Sequence, residues 1–149
     1  MATKVKIKIN DAVELREQLD HIYENKSQME LAQWAINLAK HILSLVGYDY
    51  ENESIIIDGF ATNEKWQIGE ARMHDVRQAG FKVHRLAKET TDVILQAALR
   101  VVGQAIGTGH MREHAMVASD YAVKVINLKF PADMEAVKSE REWQIRAMK

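Results

Sequence analysis

Residues 91–128 read TDVILQAALRVVGQAIGTGHMREHAMVASDYAVKVINL, and their pattern is that of α-helices. Apolar residues recur with a 3.6-residue period, which predicts two consecutive helices. Thr91 is suited to cap the first, and Thr108, inside Gly107-Thr108-Gly109, is suited to cap a second over about residues 109–128. Two neighbouring faces of the second helix carry apolar or small residues, so we expect a central, mostly buried helix.

The rest of the chain continues the helical pattern outward from this stretch. Ser27-Gln28-Met29-Glu30 is a capping box, and it predicts a helix that ends at Gly47, where glycine suits the C′ position. Caps and periodicity predict further helices over about residues 11–24, 53–66, 68–89 and 132–148. The mixed charges of the last one favour an outer helix. One proline and seven glycines are few breakers for this length.

We therefore predict an all-α fold, a single domain over residues 1–149 built as an array of about six helices. Lys4–Ile9 alternates lysine with valine or isoleucine, which is the period of an extended strand. Since no partner strand is evident, we expect a short extended N-terminal arm. Gly80 lies within an apolar helical stripe, where a glycine lets a neighbouring helix approach closely.

Composition narrows the function classes. The chain has 149 residues, no cysteine, and 20 Lys or Arg against 21 Asp or Glu, a net charge of −1. Without cysteine there is no disulfide, Cys-ligated zinc or thiol nucleophile. The balanced charge argues against a nucleic-acid partner, and no apolar run is long enough to span a membrane. Met1–Ile9 is basic but no apolar segment follows, so we expect a cytoplasmic protein without a secretory signal.

Histidines carry the sharpest candidate chemistry. His110-Met111-Arg112-Glu113-His114 fits H-x-x-E-H, the pattern of a zinc peptidase with the glutamate as general base. Histidines four apart on a helix face the same side, and His84 on another helix could complete a three-ligand metal site. The interpretation we favour is that these histidines are neutral, hydrogen-bonded core residues. No nucleotide-binding or nucleophile motif is present, so we predict no catalytic residue, metal or cofactor.

The clearest charge asymmetry is an acidic stretch over residues 48–64, which holds five carboxylates and no lysine or arginine. The carboxylates belong to Asp49, Glu51, Glu53, Asp58 and Glu64. A solvated loop is the simpler interpretation. The functional interpretation is a surface that steers toward a basic protein partner. Trp66 would then be an aromatic anchor for that partner, or equally a core residue.

Several sequence blocks resemble the bacterial putative immunity protein family, which is associated with polymorphic toxin systems. The resemblance covers roughly residues 27–149, and residues 1–26, the arm and first helix, lie outside it. In order, the blocks are LAQWA at 31–35, WQIGEAR at 66–72, VHRLA at 83–87, GQA at 103–105, His110 and His114, SDYAVKVIN at 119–127 and EREWQ at 140–144. Gly109 stands where the family often has proline, and either residue suits a helix start.

The resemblance implies an all-helical protein that protects its producer by binding and neutralising a cognate toxin, with no catalytic activity. Two alternatives stay open. One is a metal-binding helical bundle, with hydrolase activity, that uses His84, His110 and His114. The other is a homo-oligomer whose apolar surface serves self-association.

Overall fold

The computed structural model describes residues 3–149. They form seven α-helices and one 3₁₀-helix, Tyr50–Asn52, with no strand among them. The helices are α1 Val13–Glu24, α2 Gln28–Leu45, α3 Ser54–Gln67, α4 Met73–Glu89, α5 Val93–Gly107, α6 His114–Lys129 and α7 Met134–Met148. The predicted all-α class is confirmed, and there are seven helices in these residues where we expected about six.

Helices α5 and α6 form the centre of the structure. α5 packs against α2, α4 and α6, while α6 also packs against α2 and α7. Nine of the 15 residues of α5 are buried, as are nine of the 16 residues of α6. The expectation of a mostly buried helix in the second half of the chain is therefore confirmed. Within residues 3–149, no helix combines the length and the apolar content that crossing a membrane requires.

Local signals set several helix ends as expected. Ser27 Oγ accepts the Glu30 backbone N–H while Glu30 Oε1 accepts the Ser27 N–H, each at 3.1 Å, so the capping box is formed. After α2, Gly47 takes φ 72°, a left-handed conformation that glycine adopts without strain. A Cβ added at Gly80 would lie 3.2 Å from the Gly103 carbonyl oxygen, which confirms the close approach of two helices there.

The starts of α4 and α5 differ from the sequence prediction. α4 begins at Met73 rather than near residue 68, because Gly69 turns the chain with φ 78°. Ile68 is consequently 69% exposed instead of contributing to the core. The N-cap of α5 is Asp92 rather than Thr91, since the Asp92 carboxylate accepts the backbone N–H groups of Ile94 and Leu95 in the first turn of that helix.

Helix α6 begins at His114 and not near residue 109. Thr108 ends α5 instead of capping α6, and its hydroxyl donates to the Gln104 carbonyl at 3.5 Å. Residues 108–113 form tight turns, so His110 lies in the connection between α5 and α6. The prediction that His110 and His114 share one helix is therefore wrong.

Residues 3–12 form the expected N-terminal arm, which contains neither helix nor strand. Asp20 of α1 accepts hydrogen bonds from the backbone N–H and hydroxyl of Thr3. Asn127 of α6 exchanges two hydrogen bonds with the backbone of Asn10, at 2.8 and 3.1 Å. These contacts hold the arm across α1 and α6. Met1 and Ala2 lie outside the described residues.

Candidate functional site

The three histidines singled out in the sequence line one small pocket. His84 comes from α4, His114 is the first residue of α6, and His110 precedes it in the turn. The pocket between them has a volume of about 30 Å³. The rings of His110 and His114 are 5.8 Å apart between centroids, with their planes inclined by 29°. The fold therefore brings His84 to the other two from a distant part of the sequence.

Glycines of α5 make room for two of the imidazole rings. A Cβ at Gly103 would lie 2.7–2.9 Å from three atoms of the His84 ring. A Cβ at Gly107 would lie 3.3 Å from Cδ2 of the His114 ring. Each ring therefore packs directly on glycine backbone, in the space that any other residue would fill. The Gly103-x-x-x-Gly107 spacing serves the packing of histidines as well as the packing of helices.

His84 is held in its neutral form. The Arg100 guanidinium donates to Nδ1 at 2.9 Å, so the ring proton is on Nε2. Burial, followed by the positive charge of Arg100 and the proximity of His114, lowers the pKa of His84 from 6.5 to about 4. His84 is thus uncharged near neutral pH, in agreement with the core interpretation of the sequence.

His114 is fixed on the other side of the pocket. Its Nδ1 is 2.6 Å from the side-chain oxygen of Gln104, so Nδ1 donates and Nε2 keeps its lone pair. Burial is the main cause that lowers the pKa of His114. The charges of His110 and Lys6 lower that pKa further, whereas the carboxylate of Glu113 raises it.

This arrangement suits packing better than metal binding or hydrolysis. The Nδ1 atoms of His84 and His114 are both in hydrogen bonds, and the Arg100 guanidinium puts a positive charge 2.9 Å from Nδ1 of His84. No group of three or more His, Asp or Glu side chains in the described part of the chain is arranged to hold a metal ion. A pocket of about 30 Å³ is also far below the roughly 300 Å³ of a small ligand site.

A second polar cluster, which sequence reasoning missed, joins the arm, α1, α6 and α7. Arg141 of α7 has a fully buried side chain and donates to Asp11 at 2.9 and 2.7 Å and to Asp120 at 2.8 Å. Asp120 also accepts from Arg16 at 2.9 and 3.2 Å, and Arg16 lies 3.5 Å from Asp20. We call these five residues the aspartate–arginine cluster. Its three carboxylates and two guanidiniums pair with one another in the interior and leave one excess negative charge, and Asp20 also accepts hydrogen bonds from Thr3.

Helix α7, whose mixed charges favoured an outer helix, carries buried polar residues on its inner side. Gln144 of α7 donates to the Ser119 carbonyl at 3.2 Å and to Glu140 Oε2 at 2.9 Å. The other Glu140 oxygen is 2.7 Å from Nε2 of His41, whose ring stacks on Trp143. Among residues 3–149, no buried side-chain nitrogen or oxygen lacks a hydrogen-bond partner. The cluster and its neighbours are thus satisfied internally, which makes them part of the scaffold.

The five carboxylates of the acidic stretch lie on the 3₁₀-helix, its flanks and α3, and we call them the acidic edge. Asp49 caps the 3₁₀-helix through a bond from the Glu51 N–H at 3.1 Å, and Glu53 caps α3 in the same way at 3.3 Å. Glu64 lies 3.9 Å from the Lys40 ammonium. The exposed carboxylates of Glu51 and Asp58 have no partner within residues 3–149. The structure thus separates two free charges from three that already have local partners.

Trp66 lies at the other end of α3 and belongs mainly to the packing. Its ring is half-buried against the core, and a Cβ at Gly109 would lie 3.1 Å from Cδ2 of the indole. The ring therefore closes the side of the turn between α5 and α6. Its remaining exposure is next to the exposed Ile68.

Comparison with known proteins adds the family. The chain matches the family model described as Imm-5 like putative immunity protein over residues 21–149. It belongs to this family. The Imm-5 like match begins within α1, close to the boundary at residue 26 expected from the resemblance, and it leaves the arm outside. No curated protein and no solved structure matches the chain.

The sequence blocks that indicated the Imm-5 like family also supply both polar clusters. GQA contributes Gly103 and Gln104 to the histidine pocket, and SDYAVKVIN contributes Asp120 to the aspartate–arginine cluster. EREWQ contributes Arg141 and Gln144. The signal that could have revealed the second cluster is a charged residue within a family block, as with Asp120 in SDYAVKVIN and Arg141 in EREWQ. In this Imm-5 like chain, those motif residues hold helices together.

Proposed function

We propose that this Imm-5 like protein binds and neutralises a cognate bacterial toxin, in the cytoplasm of the producing cell, and catalyses no reaction itself. The observation that carries the proposal is the family match over residues 21–149. Inhibition by binding needs a complementary surface and no catalytic groups, and interfaces of this kind bury about 800 Å² on each partner.

The internal polar groups support a binding role. Reactive use of the histidines would require an accessible site, yet the three rings surround only about 30 Å³, with His84 hydrogen-bonded to Arg100 and His114 to Gln104. The aspartate–arginine cluster is buried and fully paired. Groups in such surroundings stabilise the fold, so recognition is assigned to the outer surface.

The acidic edge is the proposed contact for a basic region of the toxin. Glu51 and Asp58 are its free charges, and they act on an approaching cation without first breaking an internal contact. Asp49, Glu53 and Glu64 add to the negative potential of the acidic edge, although each already has a local partner. Trp66, eight residues after Asp58 and so about 12 Å further along α3 at 1.5 Å per residue, is the proposed aromatic contact at the margin of the acidic edge.

Co-purification with the toxin encoded by the adjoining gene, expressed in a disabled form, tests this function. We expect a stable complex with the full chain, and the double variant Glu51→Lys/Asp58→Lys should weaken it about 10- to 100-fold, mainly through slower association. The matched control is Glu17→Lys/Glu142→Lys, which reverses two exposed carboxylates on α1 and α7. Absence of a complex at micromolar concentrations would contradict the proposed function.

A further inference from the structure

The outer side of α4 concentrates positive charge. Its exposed residues lie opposite the buried Val76, Gly80, Val83 and Ala87 that face the core. We call this surface the basic face, and it consists of Arg77, Phe81, Lys82, Arg85 and Lys88. None of its four cations forms an ion pair within residues 3–149. Two acids lie on the same helix: Asp75, already paired with Arg72 at 3.2 Å, and the exposed Glu89, four residues after Arg85 at the end of α4.

The basic face also carries apolar side chains that the fold leaves in solvent. Phe81 is 44% exposed, and the Arg77 guanidinium lies over its ring at 5.0 Å from the centroid. Met73, about two turns before Phe81 at 3.6 residues per turn, is 54% exposed. Arginine, methionine and aromatic residues are the types enriched at the centres of protein interfaces. The combination indicates a surface for a protein partner, where a solvated helix would carry only polar groups.

The basic face adjoins the acidic edge. A groove of about 310 Å³ separates α3 from α4, with Asp58 on the α3 side and Lys82 on the α4 side. On its other border, Arg77 and Phe81 line the small pocket together with His110 of the α5–α6 turn. The two charged surfaces therefore adjoin, mainly negative along α3 and mainly positive along α4, with the Arg72-paired carboxylate of Asp75 also lining the groove between them.

We propose that the basic face contacts a patch of carboxylates on the cognate toxin, beside the basic region that the acidic edge attracts. The inference rests on the proposed function and specifies the chemistry of the partner. Opposite charges on adjacent helices match a partner with the reverse arrangement in a single orientation, since rotation by half a turn would place like charges together. Phe81 provides the buried anchor of this contact.

The experiment measures the affinity of the full chain for the disabled toxin at about 0.15 M salt. Arg77→Glu/Arg85→Glu should raise Kd about 10- to 100-fold through slower association, and the effect should shrink at higher salt. Phe81→Ala should raise Kd at least about tenfold through faster dissociation. Lys138→Glu/Arg146→Glu, which reverses two exposed cations of α7, is the matched control and should leave Kd unchanged.

The outcomes separate the two proposals. Binding that is weakened by the α4 variants and not by the α7 control supports the basic face. If the wild type binds the toxin and both double variants bind it with the same affinity as the wild type, the proposed role of the basic face is overturned and the proposed function stands. No wild-type complex contradicts the proposed function itself. Light scattering tests whether the basic face instead binds a second copy of the chain. A wild-type mass near twice the 17.0 kDa of one chain, together with a monomeric Arg77→Glu/Arg85→Glu variant, would show this and overturn the toxin contact.

Discussion

Replacing Gly103 by alanine tests whether the histidine pocket stabilises the fold. The added Cβ would lie 2.7–2.9 Å from three atoms of the His84 ring, inside any normal contact distance. The ring cannot move away freely, because its Nδ1 is held by Arg100 at 2.9 Å and α4 already touches α5 at Gly80. Either the His84–Arg100 bond breaks or the two helices separate.

The expected cost follows from these alternatives. Overpacking a core position costs about 1–3 kcal/mol, and loss of a hydrogen bond adds about 1 kcal/mol. Alanine returns about 1 kcal/mol in helix propensity relative to glycine. We therefore expect Gly103→Ala to lower the free energy of unfolding by about 2 kcal/mol, which corresponds to a Tm lower by about 4–8 °C for a chain of this size.

A double-mutant cycle with urea denaturation gives the decisive measurement. In a His84→Ala background the ring is gone, so Gly103→Ala should become stabilising by about 1 kcal/mol, and the two changes should couple by about 3 kcal/mol. Gly107→Ala should cost less than Gly103→Ala, because its Cβ would lie 3.3 Å from the His114 ring. Equal effects of Gly103→Ala in both backgrounds would refute the assignment of Gly103 to His84.

Two further predictions concern buried charge. Arg141→Met should lower the free energy of unfolding by about 3–5 kcal/mol, because it leaves the carboxylates of Asp11 and Asp120 without their shared cation; a loss below about 1 kcal/mol in urea denaturation would contradict this role. Stability should also fall on acidification. The pKa of His84 is about 4 in the folded chain against 6.5 ordinarily, so the contribution of neutral His84 is complete above pH 6.5 and is lost as the unfolded state takes up a proton between pH 6.5 and 4. Wild type should therefore lose more stability than His84→Gln between pH 7.5 and 4.5, and equal losses would exclude His84 as the source.

Local signals explain why most of the fold could be predicted. The capping box at Ser27, the glycine after α2 and the 3.6-residue periods act within one or two turns of chain, so they can be read without knowing the neighbours. The start of α6 could not be predicted in this way. Threonine is a favoured N-cap residue, but the hydroxyl of Thr108 donates to the Gln104 carbonyl of the preceding helix instead. The choice between the two roles depends on the packing around α5.

The polar clusters were harder to predict, because their partners are distant in sequence. Asp120 and Arg16 are 104 residues apart, and Arg141 and Asp11 are 130 residues apart. Mixed charges on α7 have the same appearance in sequence whether they face solvent or a buried carboxylate. The histidine pocket is partly predictable, since glycines spaced like Gly103 and Gly107 favour close packing of a helix. The sequence could not show that imidazole rings occupy the space beside these glycines, because this depends on where α4 crosses α5.

The distribution of paired and unpaired charge supports the proposal that recognition lies on α3 and α4. In the interior, Arg16 and Arg141 both have carboxylate partners, so neither cation is left unpaired. On α4, Lys82 and Arg85 are three residues apart, as are Arg85 and Lys88, and Glu89 is the one carboxylate beside them. Like charges this close on a helix destabilise it by about 0.2–0.5 kcal/mol per pair, and the surface of α4 keeps part of this repulsion. Carboxylates from a partner would remove that repulsion and cover Phe81, so binding would stabilise α4 as well as join the two proteins.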